Sequence, residues 1–198
     1  MTFHGTRQGT NDRGNFGRAT SLSVALLSLA LAAGLSQACG GDPPTLTSSD
    51  VTNIPAGTGS GTALSGSYLV TGGSLTGCHC RTGSCSQFRS GAGGRYVVDQ
   101  QGGALIVLLQ GSDGESTQLS GSVNADQSFK VGGTVMNDDQ GPLLIQRAFQ
   151  LVTGVFEVKN GQPTGFHAGI DLTINLQAPG AVYDCDFAGT TDAMFTGP

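Results

Sequence analysis

From Ala63 onward, the apolar residues of the chain come in short runs that are separated by glycine and by Asn/Asp positions. Runs of this length and spacing predict β-strands rather than helices. Leu105–Leu109 is a continuous apolar run, which is typical of a strand covered on both faces. Ile170–Leu176 alternates apolar and polar residues, so one of its faces should be buried and the other wet.

Turn signals between these runs predict hairpins at Gln101-Gly102-Gly103, at Asn124–Gln127 and at Lys159-Asn160-Gly161-Gln162-Pro163. The expected strands are Tyr68–Thr71, Arg95–Gln100, Ala104–Gln110, Thr117–Val123, Ser128–Val135, Leu151–Val158, Phe166–Leu176 and a last one through Tyr183, Cys185 and Phe187. Eight or nine strands joined mostly by short turns form an all-β, antiparallel, up-and-down meander. A meander of this length usually closes to remove its edges, so we predict a barrel, with a two-sheet sandwich as the alternative.

The stretch before these strands differs in composition. Gly40–Gly61 consists almost entirely of Gly, Ser, Thr, Pro and Asp without apolar periodicity, which predicts a disordered linker. We therefore expect a single β domain over residues 63–198 and a flexible tether over residues 39–62. As a free coil, a tether of ~22 residues has a root-mean-square span of ~25 Å.

Ser21–Cys39 is an apolar run that precedes the tether. Leu22–Leu35 supplies an uncharged core of about fourteen residues, and Arg7, Arg13 and Arg18 make the preceding residues basic. This pattern predicts a secretory signal peptide over residues 1–38. A permanent membrane-spanning helix is the weaker alternative, because a span needs ~20 apolar residues.

Ser36-Gln37-Ala38-Cys39 resembles the lipobox of bacterial lipoproteins, although Leu35 stands one position early and Gln37 replaces a small residue. The resemblance implies that Cys39 is diacylated on sulfur and becomes the new N-terminus. It also implies an outer-membrane lipoprotein, because Gly40 rather than aspartate follows the cysteine. Two acyl chains would anchor the protein stably. Without lipidation, Cys39 would be a free thiol or a disulfide partner.

Charge limits the partners of the exported part. Residues 39–198 carry six basic and thirteen acidic side chains, a net charge near −7. Such a surface repels nucleic acid and anionic lipid headgroups. Membrane contact should therefore come from the lipid anchor, and we expect no nucleic-acid partner.

Apart from Cys39, the chain has four cysteines, an even number for an exported protein: Cys78, Cys80, Cys85 and Cys185. Two disulfides are the expected state. A Cys78–Cys80 bridge is geometrically the least favourable, so one of these two should bridge to Cys85 and the other to Cys185. Cys78-His79-Cys80 and Cys85 could alternatively hold Zn²⁺. Because exported thiols meet oxidants, we predict disulfides, with no metal and no cofactor.

No residue pattern predicts a catalytic centre. His79 and His167 are the only histidines after the tether, and neither a Gly-x-Ser-x-Gly elbow nor a Cys-x-x-Cys pair occurs. Asp184 and Asp186 lie ~6.5–7 Å apart on one strand face, which could suit glycoside hydrolysis or Ca²⁺, although solvated strand carboxylates are the simpler interpretation. Asn137-Asp138-Asp139 lacks the spacing of a calcium loop and predicts a turn. We expect that the protein is not an enzyme.

The order of strands around a turn-rich cysteine cluster resembles the lipocalin-type barrels of exported proteins over Ser65–Phe195, without their Gly-x-Trp signature. Our first hypothesis is a structural or interaction protein of the cell envelope. The resemblance implies the second, a carrier of a small apolar ligand, which needs an unfilled cavity, whereas a structural barrel fills its lumen. The third is a hydrolase, which requires that His167, Asp184 and Asp186 converge in one cleft.

Overall fold

A computed structural model of the chain describes residues 42–85, 94–111, 116–137, 145–178 and 181–198. The predicted signal peptide, Cys39, Asp138 and Asp139 lie outside this part. One short helix, α1 (Ser48–Thr52), precedes eight described strands. They are β1 (Gly66–Thr82), β2 (Arg95–Gln101), β3 (Ala104–Gln110), β4 (Ser116–Val123), β5 (Ser128–Asn137), β6 (Ile145–Lys159), β7 (Gln162–Ala178) and β8 (Ala181–Gly197). No helix in these five segments is long and apolar enough to cross a membrane.

The eight strands form one closed antiparallel barrel. Each strand pairs with the next one in sequence, and β8 pairs with β1. Asn160 and Gly161 both have positive φ, 54° and 76°, which is the conformation of a two-residue hairpin turn whose twist matches the flanking strands. The prediction of an all-β, up-and-down barrel is confirmed, and the two-sheet sandwich is not realised.

Strand length makes the two ends of the barrel unlike. β2, β3 and β4 have seven or eight residues, whereas β1, β7 and β8 have seventeen. The end that carries the tight β2–β3, β4–β5 and β6–β7 turns is called the hairpin end. The long strands continue to the opposite end, which holds two disulfides and is called the disulfide end.

An aromatic cluster fills the lumen at the hairpin end. Tyr68, Tyr96, Phe129, Phe156 and Phe166 are buried, and the ring centroids of their contacting pairs are 4.6–5.7 Å apart. Aromatic pairs at such distances contribute ~0.5–1.5 kcal/mol each beyond the area they bury. Between these rings and the neighbouring valines remains a cavity of about 10 Å³, which is room for about one water. Side chains therefore fill this half of the barrel.

A segment that we call the strap, residues 42–65, crosses the outside of the barrel wall. Leu46 and Val51 are buried against Leu151 of β6, with Ile54 and Phe149 beside them. Leu151 and Phe149 alternate with the luminal residues of β6, so their side chains point outward. The strap thus covers apolar side chains that would otherwise face water. Each such side chain, when buried, contributes ~1.5–3 kcal/mol.

At the hairpin end, the strap continues over the rim of the barrel. The Gly59 amide donates to the Val123 carbonyl at 2.9 Å, and the Gly102 amide donates to the Gly61 carbonyl at 2.9 Å. The Tyr68 hydroxyl then donates to the Leu64 carbonyl at 2.7 Å inside the barrel. Residues 60–65 thereby close the hairpin end.

Residues 42–61 do not form the disordered linker that the sequence predicts over Gly40–Gly61, because they pack against the barrel. The strap has no apolar period because, apart from the short helix α1, it forms neither a helix nor a strand. It has only a few apolar side chains that become buried, and the surface that buries them is on β6, which is distant in sequence. Where it passes β5, a Cβ at Gly132 would lie 2.8 Å from the Val51 Cα, so only glycine leaves room for it. A prediction from amino-acid composition alone therefore assigns such a segment to free coil.

We expect Phe166→Ala to lower the free energy of unfolding by ~3–5 kcal/mol, because it removes a ring that contacts four others in the lumen. Val155→Ala is the matched control, since Val155 points outward from β6 and is 50% exposed; its effect should stay within ~0.5 kcal/mol. Denaturant titration followed by circular dichroism measures both. Equal losses would contradict a packed aromatic lumen.

Candidate functional site

Two disulfides lie at the disulfide end, as predicted. Cys78 is bonded to Cys85, and Cys80 is bonded to Cys185, which is one of the two pairings that the sequence left open. Cys80 and Cys185 face each other across β1 and β8, with a sequence separation of 105. By closing a loop of that length, the Cys80–Cys185 bond lowers the entropy of the unfolded chain and so stabilises the fold by ~4–5 kcal/mol. The short loop closed by Cys78–Cys85 contributes ~2–3 kcal/mol. Disulfides of this kind are typical of an oxidising compartment outside the cytoplasm.

The same cysteines bear on the alternative of a metal site. The Sγ atoms of Cys78, Cys80 and Cys85 lie within 4.8 Å of one another, close enough to share an ion. A cysteine binds Zn²⁺ as a thiolate, and each of these sulfurs is committed to a disulfide. His79 lies with its Nδ1 atom 3.6 Å from a carboxylate oxygen of Asp42 in the strap. The oxidised cluster therefore offers no thiolate ligands.

On the outer wall of the same end, Arg81 joins two carboxylates. Its Nε and Nη2 atoms donate to Asp184 at 2.7 and 2.5 Å, and its Nη1 atom donates to Asp186 at 2.6 Å. Asp186 also accepts hydrogen bonds from the hydroxyls of Thr45 and Thr173, at 2.6 and 2.7 Å. Because Thr45 belongs to the strap, these five residues, which we call the clasp, fasten the strap to β1, β7 and β8.

The clasp keeps a charge buried. Asp186 is only 1% exposed, so burial raises the pKa of its carboxyl group, but hydrogen bonds from Arg81, Thr45 and Thr173 outweigh burial and hold the pKa below its usual value. The hydrogen bonds from Arg81 likewise lower the pKa of Asp184. Both carboxylates are therefore ionised at neutral pH, where the clasp has its full strength.

His167 lies far from the clasp. Its Nδ1 atom is 2.6 Å from a carboxylate oxygen of Asp192, on the outer wall toward the hairpin end. Asp192 lies six positions from Asp186 along β8, which corresponds to ~20 Å of strand. The convergence of His167, Asp184 and Asp186 that a hydrolase would require is not what the structure shows. The two aspartates belong to the clasp instead.

Inside the barrel, Gln150 of β6 is a buried polar side chain without a partner. It is 1% exposed, and neither its Nε2 nor its Oε1 atom has a hydrogen bond. By register it lies between Gly133 and Leu172 on the luminal face. An unpaired amide in an apolar interior costs several kcal/mol. This luminal position is therefore a candidate for binding a polar group.

Several of these residues were not predicted from the sequence. Arg81 follows Cys80, and Asp184 and Asp186 flank Cys185. A Cys80–Cys185 bridge therefore brings Arg81 close to both carboxylates, so this contact could have been predicted from the disulfide pairing. Gln150 was missed although it shares the phase of Phe156, an inward-facing residue of the same strand. Thr45 and Thr173 gave no signal, because hydroxyl residues are common on exposed strands and in linkers.

The chain matches no protein-family model, and no curated protein matches its sequence. The class that its fold and site define is an all-β, disulfide-stapled, closed eight-stranded barrel.

We expect Asp186→Asn to lower the free energy of unfolding at pH 7 by ~1.5–3 kcal/mol, the range for hydrogen bonds to a charged group. The pKa of Asp186 is lowered in the folded state, so its contribution is fully present above the unfolded pKa near 3.8 and is lost as the pH falls through the folded value. The difference between wild type and variant should therefore shrink as the pH falls below 3.8.

Asp192→Asn is the control for this measurement, because Asp192 is an exposed carboxylate with one partner. Other carboxyl groups near the strap also titrate. Burial raises the pKa of Asp171, which acts in the opposite sense, and hydrogen bonds from Thr47 lower that of Asp50. Comparing variant with wild type at each pH cancels these contributions. A pH-independent difference would contradict the assigned role of Asp186.

Proposed function

We propose that the protein is an exported lipoprotein of the bacterial outer membrane with a non-enzymatic structural or interaction role. The basic and apolar leader over residues 1–38 and the lipobox-like Ser36-Gln37-Ala38-Cys39 support export and lipidation. The two disulfides fit an oxidising compartment. The lipid would supply the membrane contact that the acidic surface cannot.

The observation that carries the structural role is the filled lumen of the hairpin end. A carrier needs room for its ligand, on the scale of hundreds of Å³, whereas the cavity among the rings is about 10 Å³. The same packing sequesters Tyr96, and its burial raises the pKa of that residue to about 12. The separation of His167 from Asp184 and Asp186 supports a non-enzymatic role. A rigid barrel whose outer wall is offered to a partner accounts for these features.

The first test is the intact mass and membrane fractionation of the protein expressed in a bacterium with its own leader, beside a Cys39→Ala variant. We expect the wild type to carry the mass of two acyl chains on Cys39 and to pellet with membranes. The variant should move to the soluble fraction. An unmodified Cys39 together with equal solubility of the two proteins would overturn the anchored function.

The second candidate function is a carrier of a small apolar ligand, and the orphan amide of Gln150 favours it. Gln150 lies beyond the aromatic cluster, toward the disulfide end. Leu75 of β1 is on the luminal face by its register with Gly189, yet it is 39% exposed. An apolar chain with one polar head would bury against such a wall and hydrogen bond the amide.

cis-Parinaric acid, a fluorescent fatty acid, distinguishes these two functions. A carrier would bind it saturably, and Gln150→Met would weaken that binding by about tenfold, the loss of one hydrogen bond of ~1–1.5 kcal/mol. For a structural barrel we expect no saturable signal. Gln150→Met should then keep or raise stability, because it removes an unpaired buried amide. Thermal melts of both proteins provide that second readout.

A further inference from the structure

The strap begins where the proposed anchor ends. Asp42, its first residue, lies beside His79 at the disulfide end and follows Cys39 by three positions. Three residues span at most ~11 Å when fully extended. A free coil from Cys39 to the start of β1 would instead have a root-mean-square span of ~25–30 Å. The state of the strap therefore decides how far the barrel stands from whatever holds Cys39.

The strap is fastened at three separate levels of the barrel wall. At the disulfide end, Thr45 donates to Asp186 and accepts from Arg81 at 3.1 Å. Next to it, the Leu46 amide donates to the Thr173 hydroxyl at 2.7 Å in a buried contact. The apolar seat on β6 holds the middle of the strap, and the backbone hydrogen bonds of Gly59 and Gly61 hold it at the hairpin end. Fastening at several independent points keeps a segment from detaching one contact at a time.

We propose that the strap is a positioning device that seats the disulfide end of the barrel on the phospholipid headgroup layer. The inference rests on the proposed lipidation of Cys39 and specifies which surface of the lipoprotein meets the membrane. With the strap fastened, the β8–β1 side of the disulfide end stays within about three residues of the acylated cysteine. The hairpin end, with its tight turns, points away and is presented to partners.

The chemistry of the seated surface fits a headgroup layer. Val182 is 50% exposed, and its neighbours across the β7–β8 pair are polar, Gln177 and Asn175. The charge of Arg81 is already neutralised by Asp184 and Asp186. Among the described residues of β7, β8 and β1 at this end, there is no basic patch that would select anionic lipid. The seated surface is suited to lie among zwitterionic headgroups, with the acyl chains supplying the affinity.

Tryptophan fluorescence can measure this seating, because the chain has no tryptophan. Val182→Trp places a single probe at the disulfide end, and Val158→Trp places one at the hairpin end, where Val158 is 41% exposed. The two positions face β7 residues fourteen apart, Gln177 and Pro163, which is ~46 Å along that strand. The lipidated protein is incorporated into phosphatidylcholine vesicles whose acyl chains are brominated just below the headgroups.

We expect the bromines to quench Val182→Trp several-fold more strongly than Val158→Trp. Adding Thr45→Val together with Leu46→Ser and Val51→Ser, which removes the contact of the strap with the clasp and its apolar anchors and leaves the barrel wall intact, should reduce the quenching of Val182→Trp to the level of Val158→Trp. Adding Asp192→Asn, which lies outside the strap contacts, should change neither. Equal quenching of the two probes with the strap intact, or quenching that ignores the strap variant, would overturn the positioning role.

The design separates this inference from the proposed function. If the protein from cells does not float with vesicles, lipidation fails. The same probes are then measured on protein that begins at Cys39 and is coupled to a maleimide phospholipid. Cys39 is the only thiol left for that coupling, because the other four cysteines form the two disulfides. Strong quenching of Val182→Trp in this form would support the positioning role of the strap, and equal quenching would overturn it.

Discussion

The sheet closes where β1 pairs with β8, and every other feature of the molecule is built on that closure. The pairing runs from Ser67 opposite Gly197 to Thr82 opposite Asp184, with four register shifts along the way. Without it, both strands would present unpaired backbone groups over almost their whole length, which is unfavourable and invites aggregation. The Cys80–Cys185 bridge is placed on this seam. It removes entropy from the unfolded chain by linking two residues with a sequence separation of 105.

Closure also explains why a charge can be buried outside the barrel. Asp184 and Asp186 alternate with Cys185, so they point outward, and the seam brings Arg81 beside them. A buried ion pair stabilises a fold only when its geometry is good and its remaining hydrogen-bonding groups are satisfied. Arg81 meets Asp184 through two nitrogens, and two hydroxyls complete the shell of Asp186. The strap therefore binds at one fixed register, which an apolar contact alone would not specify.

The strands of the hairpins could be predicted because their signals are local. The clean alternation of β7 and the Asn160-Gly161 turn depend on a few neighbouring residues. β1 is different, because the sequence predicts only Tyr68–Thr71 as a strand there. In the structure the strand continues to Thr82 through register shifts, since β8 supplies a partner along its whole length. Most contacts of the strap and the clasp join residues that are tens to more than 100 positions apart, so no local stretch of sequence contains both partners.

The seat of the strap is assembled from β5, β6, β7, β8 and β1, so it exists only after nearly the whole chain has folded. The strap itself lies before all of them in sequence, and thus leaves the ribosome first. The earliest segment of the domain to be made is consequently the last to find its place. Until then its apolar anchors, Leu46 and Val51, stay widely spaced among serines, threonines and glycines, a composition that resists premature collapse. The low hydrophobicity of this segment therefore suits a chain end whose binding surface forms only late in folding.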